Sequence, residues 1–67
     1  MTQEKVERLL QVAKDMKTSV DVISDSNLAM FIDYKLDNQP YIEGDYLYDN
    51  TFGYRMRFMR IRKIVFS

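Results

Sequence analysis

Hydrophobic residues near the start of the chain recur at the spacing of one helix face. Charged residues fill the positions between them, acidic ones in the first turns and basic ones in the last, as the helix dipole favours. Thr2 stands at the position of an N-cap. The pattern therefore predicts an amphipathic helix over residues 3–17. Its apolar stripe consists of Val6, Leu9, Leu10, Ala13 and Met16.

Beyond this helix, hydrophobic and polar positions alternate with the period of a β-strand. Turn-forming clusters divide the alternation into predicted strands at residues 18–23, 28–36, 41–48 and 54–66. Gly44 indicates a bulge or a close contact within the third strand. The adjoining Phe58 and Met59 interrupt the alternation of the fourth, where we expect a bulge or bend. Residues 49–53 read as a hairpin loop.

Short connections between successive strands favour an antiparallel β-meander of three to four strands in sequence order. With the helix on one face of this sheet, the chain is predicted to be a single small α+β domain over residues 1–67. An alternative is that residues 24–26 cap a second helix over 27–35, which gives two helices followed by a β-hairpin. The residues expected to face the helix are Val20, Val22, Met30, Ile32, Tyr34, Tyr46, Met56, Phe58 and Ile61.

The composition limits how this fold can be stabilised. A chain of 67 residues is marginal on its own. It has no Cys and no His, which excludes a disulfide and the commonest zinc ligands. We therefore expect no metal and no cofactor, and we expect a homodimer to supply the missing stability. No targeting segment and no apolar run of about 20 residues are visible, so no membrane contact and a cytoplasmic location are expected.

Catalysis is not expected. His and Cys, the usual acid–base and nucleophilic residues, are absent, and the serines have no activating base beside them. Ser24 and Ser26 lie in a turn, where hydroxyl groups ordinarily cap backbone groups. The acidic residues between 33 and 49 lack the spacing of a calcium loop. The sequence thus predicts a binding protein and not an enzyme.

Charge is strongly segregated although the net charge is zero. Residues 19–53 carry seven acidic residues and one lysine, and residues 54–67 carry five basic residues and no acid. One interpretation pairs the two strands internally, with Glu43, Asp45 and Asp49 facing Arg55, Arg57 and Arg60. A second makes the basic strand a nucleic-acid contact through Arg55, Arg57, Arg60, Arg62 and Lys63, of which the last three lie past the expected pairing. A third makes the acidic residues a nucleic-acid mimic; these are Asp33, Asp37, Glu43, Asp45 and Asp49.

The core cannot hold all of the aromatic residues, because about half of the side chains of a strand point to each face of the sheet. The side chains expected on the uncovered face have the composition of binding hot spots. We therefore expect a protein-binding accessory module of the inhibitor or adaptor type that uses this face and an edge strand. In size and composition the chain resembles small phage-encoded proteins that modulate a host. The predicted contact residues are Phe31, Tyr41, Leu47, Met59, Arg55 and Arg57.

Overall fold

The computed structural model describes residues 1–36 and 39–67, so Asp37 of the predicted acidic surface lies outside the described residues. The α+β class with an N-terminal helix is confirmed. Residues 29–33 form a strand, so the alternative with a second helix is wrong. In chain order the elements are α1 (Gln3–Met16), β1 (Ser19–Ser24), β2 (Ala29–Asp33), β3 (Tyr41–Glu43), β4 (Tyr46–Tyr48), β5 (Arg55–Arg57), a 3₁₀ helix (Phe58–Arg60) and β6 (Ile61–Phe66).

Both ends of α1 have identifiable caps. The hydroxyl of Thr2 accepts a hydrogen bond from the backbone N–H of Lys5 at 3.2 Å, as the sequence predicted. Lys17 adopts a left-handed conformation with φ of 51° and ends the helix one residue earlier than predicted. Because the chain turns away there, Met16 is exposed and does not extend the apolar stripe into the core.

The strands form two antiparallel three-stranded sheets instead of one meander in sequence order. The first sheet has the order β2-β1-β6, and the second has the order β3-β4-β5. The bend predicted at Phe58–Met59 is present as the 3₁₀ helix. It splits the predicted fourth strand, so that β5 pairs with β4 while β6 returns to pair with β1.

The predicted third strand is a hairpin in which β3 and β4 are joined by a turn at residues 44–45. Gly44 has φ of 62°, a conformation that favours glycine. Pairing places Ile42 directly opposite Leu47, and both point inward. In a continuous strand these two residues would lie on opposite faces. The turn thus reverses the expected phase of residues 46–48 relative to residues 41–43.

The core lies between α1 and the inner faces of the two sheets. Most residues expected to face the helix are buried or packed against this core. Tyr46 is an exception, because the turn at residues 44–45 directs it outward beside Arg57. Leu47, expected on the binding surface, is instead completely buried, for the same reason. The buried hydrophobic residues are Val6, Leu10, Ala13, Val20, Val22, Met30, Ile32, Leu47, Phe58 and Ile61.

Candidate functional site

The outer face of the second sheet carries a cluster of tyrosine and arginine side chains. The pairing register aligns Tyr41 with Tyr48 and Tyr48 with Arg55 in one row, and Tyr46 with Arg57 in the next. Leu47 and Met56 alternate with them and point inward. We call the five outward residues, Tyr41, Tyr46, Tyr48, Arg55 and Arg57, the tyrosine–arginine face.

The three tyrosine rings of this face are in contact with one another. Tyr41 and Tyr48 stack in parallel with ring centroids 4.9 Å apart, and Tyr46 is tilted against Tyr48 at 6.2 Å. Aromatic pairs at these distances stabilise a cross-strand arrangement beyond the area that they bury. The rings therefore form a continuous platform across β3 and β4.

Both arginines lie over Tyr46. The guanidinium carbon of Arg55 is 4.6 Å from the ring centroid, and that of Arg57 is 5.2 Å away. Nε of Arg57 also donates a hydrogen bond to the Tyr46 hydroxyl at 2.9 Å. Contact with the Tyr48 hydroxyl raises the pKa of Arg55, and the bond to Tyr46 raises the pKa of Arg57. Two permanently charged groups are thus held side by side on an exposed surface.

The predicted pairing of acidic with basic residues across the hairpin is wrong. The register places Tyr48 opposite Arg55 and Tyr46 opposite Arg57, since the turn at residues 44–45 moves the acidic residues out of line. Among residues 1–36 and 39–67, one ion pair is present, between Arg60 and Asp25 at 3.3 Å. Internal ion pairs therefore do not explain why the basic residues Arg55 and Arg57 are grouped on the tyrosine–arginine face.

Asp49 does not belong to an acidic surface, because it is only 3% exposed. Its carboxylate accepts hydrogen bonds from four successive backbone N–H groups of the loop that follows, at 2.6–3.2 Å. Such an arrangement satisfies a buried charge and fixes the loop between β4 and β5. The donors are Thr51, Phe52, Gly53 and Tyr54.

The predicted basic strip on the last strand is divided between several contacts. Arg60 binds Asp25, and Nη2 of Arg62 donates to the side-chain oxygen of Asn27 at 2.7 Å, so both hold the turn between β1 and β2. Lys63 lies opposite Ile23 on the outer face of the first sheet. Of these three basic residues, Arg60 alone joins Arg55 and Arg57, in an open groove of about 470 Å³ that Ser24, Ser26, Leu28, Tyr46 and Met56 also line.

The remaining predicted contact residues lie away from the tyrosine–arginine face. Phe31 is 49% exposed on the outer face of the first sheet, opposite Asp21. Met59 is 77% exposed on the 3₁₀ helix. Tyr41, Arg55 and Arg57 are brought together as expected. The sequence pattern did not place Tyr46 and Tyr48 on this face. A two-residue hairpin turn predicted at residues 44–45 would have placed both side chains there.

Within the described part of the chain, acidic side chains nowhere gather in a group of three or more that could hold a metal ion. The helices described here are also too short to cross a membrane. Comparisons of the chain with models of protein families, with curated protein sequences and with solved structures give no match.

Proposed function

We propose that this chain is a protein-binding module of the inhibitor or adaptor type whose contact surface is the tyrosine–arginine face. The observation that carries the proposal is the pair of exposed arginines held over Tyr46. Among the described residues neither has a carboxylate within ion-pair distance, although the charge of Asp45 acts on Arg57 from farther away and contributes to its raised pKa. Tyrosine and arginine are, with tryptophan, the residues enriched in interface hot spots. A planar guanidinium in a fixed position suits bidentate binding of a carboxylate. The partner surface is therefore acidic.

A protein partner fits this surface better than a single-stranded nucleic acid. Base stacking requires a free ring face. Tyr41 and Tyr48 already cover one face of each other, and the two guanidinium groups lie over Tyr46. At Tyr46 a base would have to displace the guanidinium groups before it could stack, and the stacked pair leaves a base only the second face of the exposed Tyr41 ring. A carboxylate reaches the guanidinium N–H groups without displacing any ring.

Nucleic-acid binding is the second candidate, because three arginines line one groove: Arg55, Arg57 and Arg60. Three phosphate contacts to a single strand would give a slope of log Kobs against log salt concentration of about −2. Titration of a labelled oligothymidylate at several salt concentrations measures this slope. Binding with that slope, abolished by Arg60→Glu, would favour the second candidate over the first.

A matched pair of charge-reversal variants tests the first candidate. Arg55→Glu with Arg57→Glu reverses the tyrosine–arginine face, and Lys5→Glu with Arg8→Glu makes the same change on the exposed side of α1. Proteins retained from a cell lysate by the immobilised wild type should be lost with the first variant and kept with the second. Equal retention by both variants would contradict the proposal.

We also infer that the chain self-associates through the free edge of β2. Hydrogen bonds from Tyr34 N–H to the Thr18 carbonyl and from Ser24 N–H to the Leu28 carbonyl fix the register with β1. By alternation, the backbone groups of Phe31 then point away from β1. Antiparallel pairing of two β2 strands about Phe31 sets Phe31 against its copy, and it sets no like charges opposite each other.

A further inference from the structure

The outer strand of the second sheet leaves part of its backbone unpaired. Asp49 N–H donates to the Tyr54 carbonyl at 3.0 Å, and Phe58 N–H donates to the Asp45 carbonyl at 3.1 Å. In an antiparallel pair, hydrogen-bonded positions alternate, so Met56 between them also bonds to β4. The N–H and C=O groups of Arg55 and Arg57 therefore point away from the sheet. The C=O group of Arg57, the N-cap residue of the 3₁₀ helix, accepts the first hydrogen bond of that helix. Within the described residues no backbone partner meets the other three groups.

A groove runs beside this free edge. It has a volume of about 390 Å³ and lies between β5 and the first residues of β2. Met56 and Met30 line its inner side, where they belong to or border the hydrophobic core. The arginine side chains lie on the outer side, over Tyr46. Elsewhere, the Arg60–Asp25 ion pair joins the 3₁₀ helix to the turn between β1 and β2.

We propose that β5 accepts an extended segment of the partner protein as an added strand. The bound segment alternates acidic and hydrophobic residues, since one side of a strand added here faces Arg55 and Arg57 and the other faces Met56. Its main chain pairs with the outward N–H and C=O groups of Arg55 and with the outward N–H group of Arg57. This inference rests on the proposed function in one respect, because the same two arginines recognise the carboxylates.

A second copy of β5 does not fit the same edge. Antiparallel pairing of two β5 strands would set Arg55 of one copy opposite Arg57 of the other. Like charges directly opposite each other destabilise a strand pair. Arginines on an edge strand thus discourage self-pairing while they attract an acidic strand. Charge complementarity therefore selects a foreign acidic segment as the occupant.

Synthetic peptides provide the test. The probe is an acetylated nine-residue peptide of alternating glutamate and valine. A matched peptide has the same sequence with its fifth and sixth residues N-methylated. Because the N–H groups of adjacent strand residues point to opposite edges, this change blocks both edges of the peptide and leaves its charge unchanged. A third peptide alternates lysine and valine. Each is titrated into the isotope-labelled protein, with affinity and the hydrogen exchange of individual backbone amides as readouts.

We expect the glutamate–valine peptide to slow the exchange of the Arg55 and Arg57 amides. N-methylation should weaken binding about fivefold or more, because hydrogen bonds to the edge are lost. The lysine–valine peptide should not bind. Equal affinity of the two acidic peptides, unchanged exchange at both arginines, or no binding of either acidic peptide would each overturn strand addition.

The charge-reversal variant separates this inference from the proposed function. If the acidic peptides bind equally well and Arg55→Glu with Arg57→Glu abolishes that binding, the arginines are a contact surface but the edge is not, and strand addition alone fails. If the glutamate–valine peptide binds the variant as tightly as the wild type, the arginine contact itself is wrong. Both proposals then fail.

Discussion

Tyr46 and Arg57 lie directly opposite each other on β4 and β5, and the Arg57 side chain both covers the ring and donates to its hydroxyl. The two residues should therefore be energetically coupled. In a double-mutant cycle of Tyr46→Ala and Arg57→Ala, measured by urea denaturation, we expect a small favourable coupling that Tyr46→Phe only partly removes. The control is a cycle of Tyr46→Ala with Arg62→Ala. Because Arg62 binds Asn27, this cycle should show no coupling energy. Equal coupling in both cycles would contradict the contact.

The loop between β4 and β5 should depend on the Asp49 carboxylate. Asp49→Ala removes the acceptor of four backbone hydrogen bonds and should lower the free energy of unfolding by about 2–3 kcal/mol. Asp49→Asn keeps one acceptor oxygen and should have an intermediate effect. Asp45→Ala is the control, because Asp45 is an exposed acidic residue nearby, and it should change the free energy of unfolding little. Similar losses at positions 45 and 49 would show that the loop does not rely on this carboxylate.

Packing of α1 is tested at Leu10. Leu10→Ala leaves a cavity in the core and should destabilise the fold by about 2–5 kcal/mol, a large fraction of the stability of a domain this small. Val12, on the exposed side of the helix, is the control, and Val12→Ala should change the unfolding midpoint little. A cooperative melt of Leu10→Ala at the wild-type temperature would show that the helix is not packed as described.

Tyr34 should make stability fall at high pH. Burial raises the pKa of its phenol from 10.0 to about 12. Between these values the unfolded chain loses the proton and the folded chain keeps it. Deprotonation therefore favours unfolding, and the contribution present below pH 10 is lost as the pH approaches 12. Tyr34→Phe should have a shallower decline of the unfolding midpoint over this interval. If the unfolding midpoints of the wild type and of Tyr34→Phe fell in parallel as the pH rose, ionisation of Tyr34 would not be the cause of the decline.

Self-association through β2 predicts a melting temperature that rises with protein concentration. Phe31→Asp should weaken the assembly, since it places an unpaired charge at the centre of the apolar contact. Met59→Asp, at an exposed methionine of the 3₁₀ helix, should leave the assembly unchanged. Sedimentation of the wild type at several concentrations gives the oligomeric state. A monomer at the highest concentration, with a constant melting temperature, would refute the prediction.

Local patterns predicted the helix well, because the cap at Thr2 and the spacing of Val6, Leu10 and Ala13 depend on neighbours in sequence. The phase of residues 46–48 was wrong because alternation alone does not reveal a turn inside a run of polar and aromatic residues. The return of β6 to β1 was missed for another reason. Pairing between strands far apart in the chain depends on which edges remain free, and no local spacing encodes it.

These two kinds of pairing also differ in how quickly they can form. The second sheet is assembled entirely within residues 41–57, whereas β6 must close a long loop to reach β1. Loop closure carries an entropy cost that grows with length, and contacts between near neighbours form faster than distant ones. An unfolded chain can thus rebuild the tyrosine–arginine face from contacts between near neighbours, before β6 completes the first sheet.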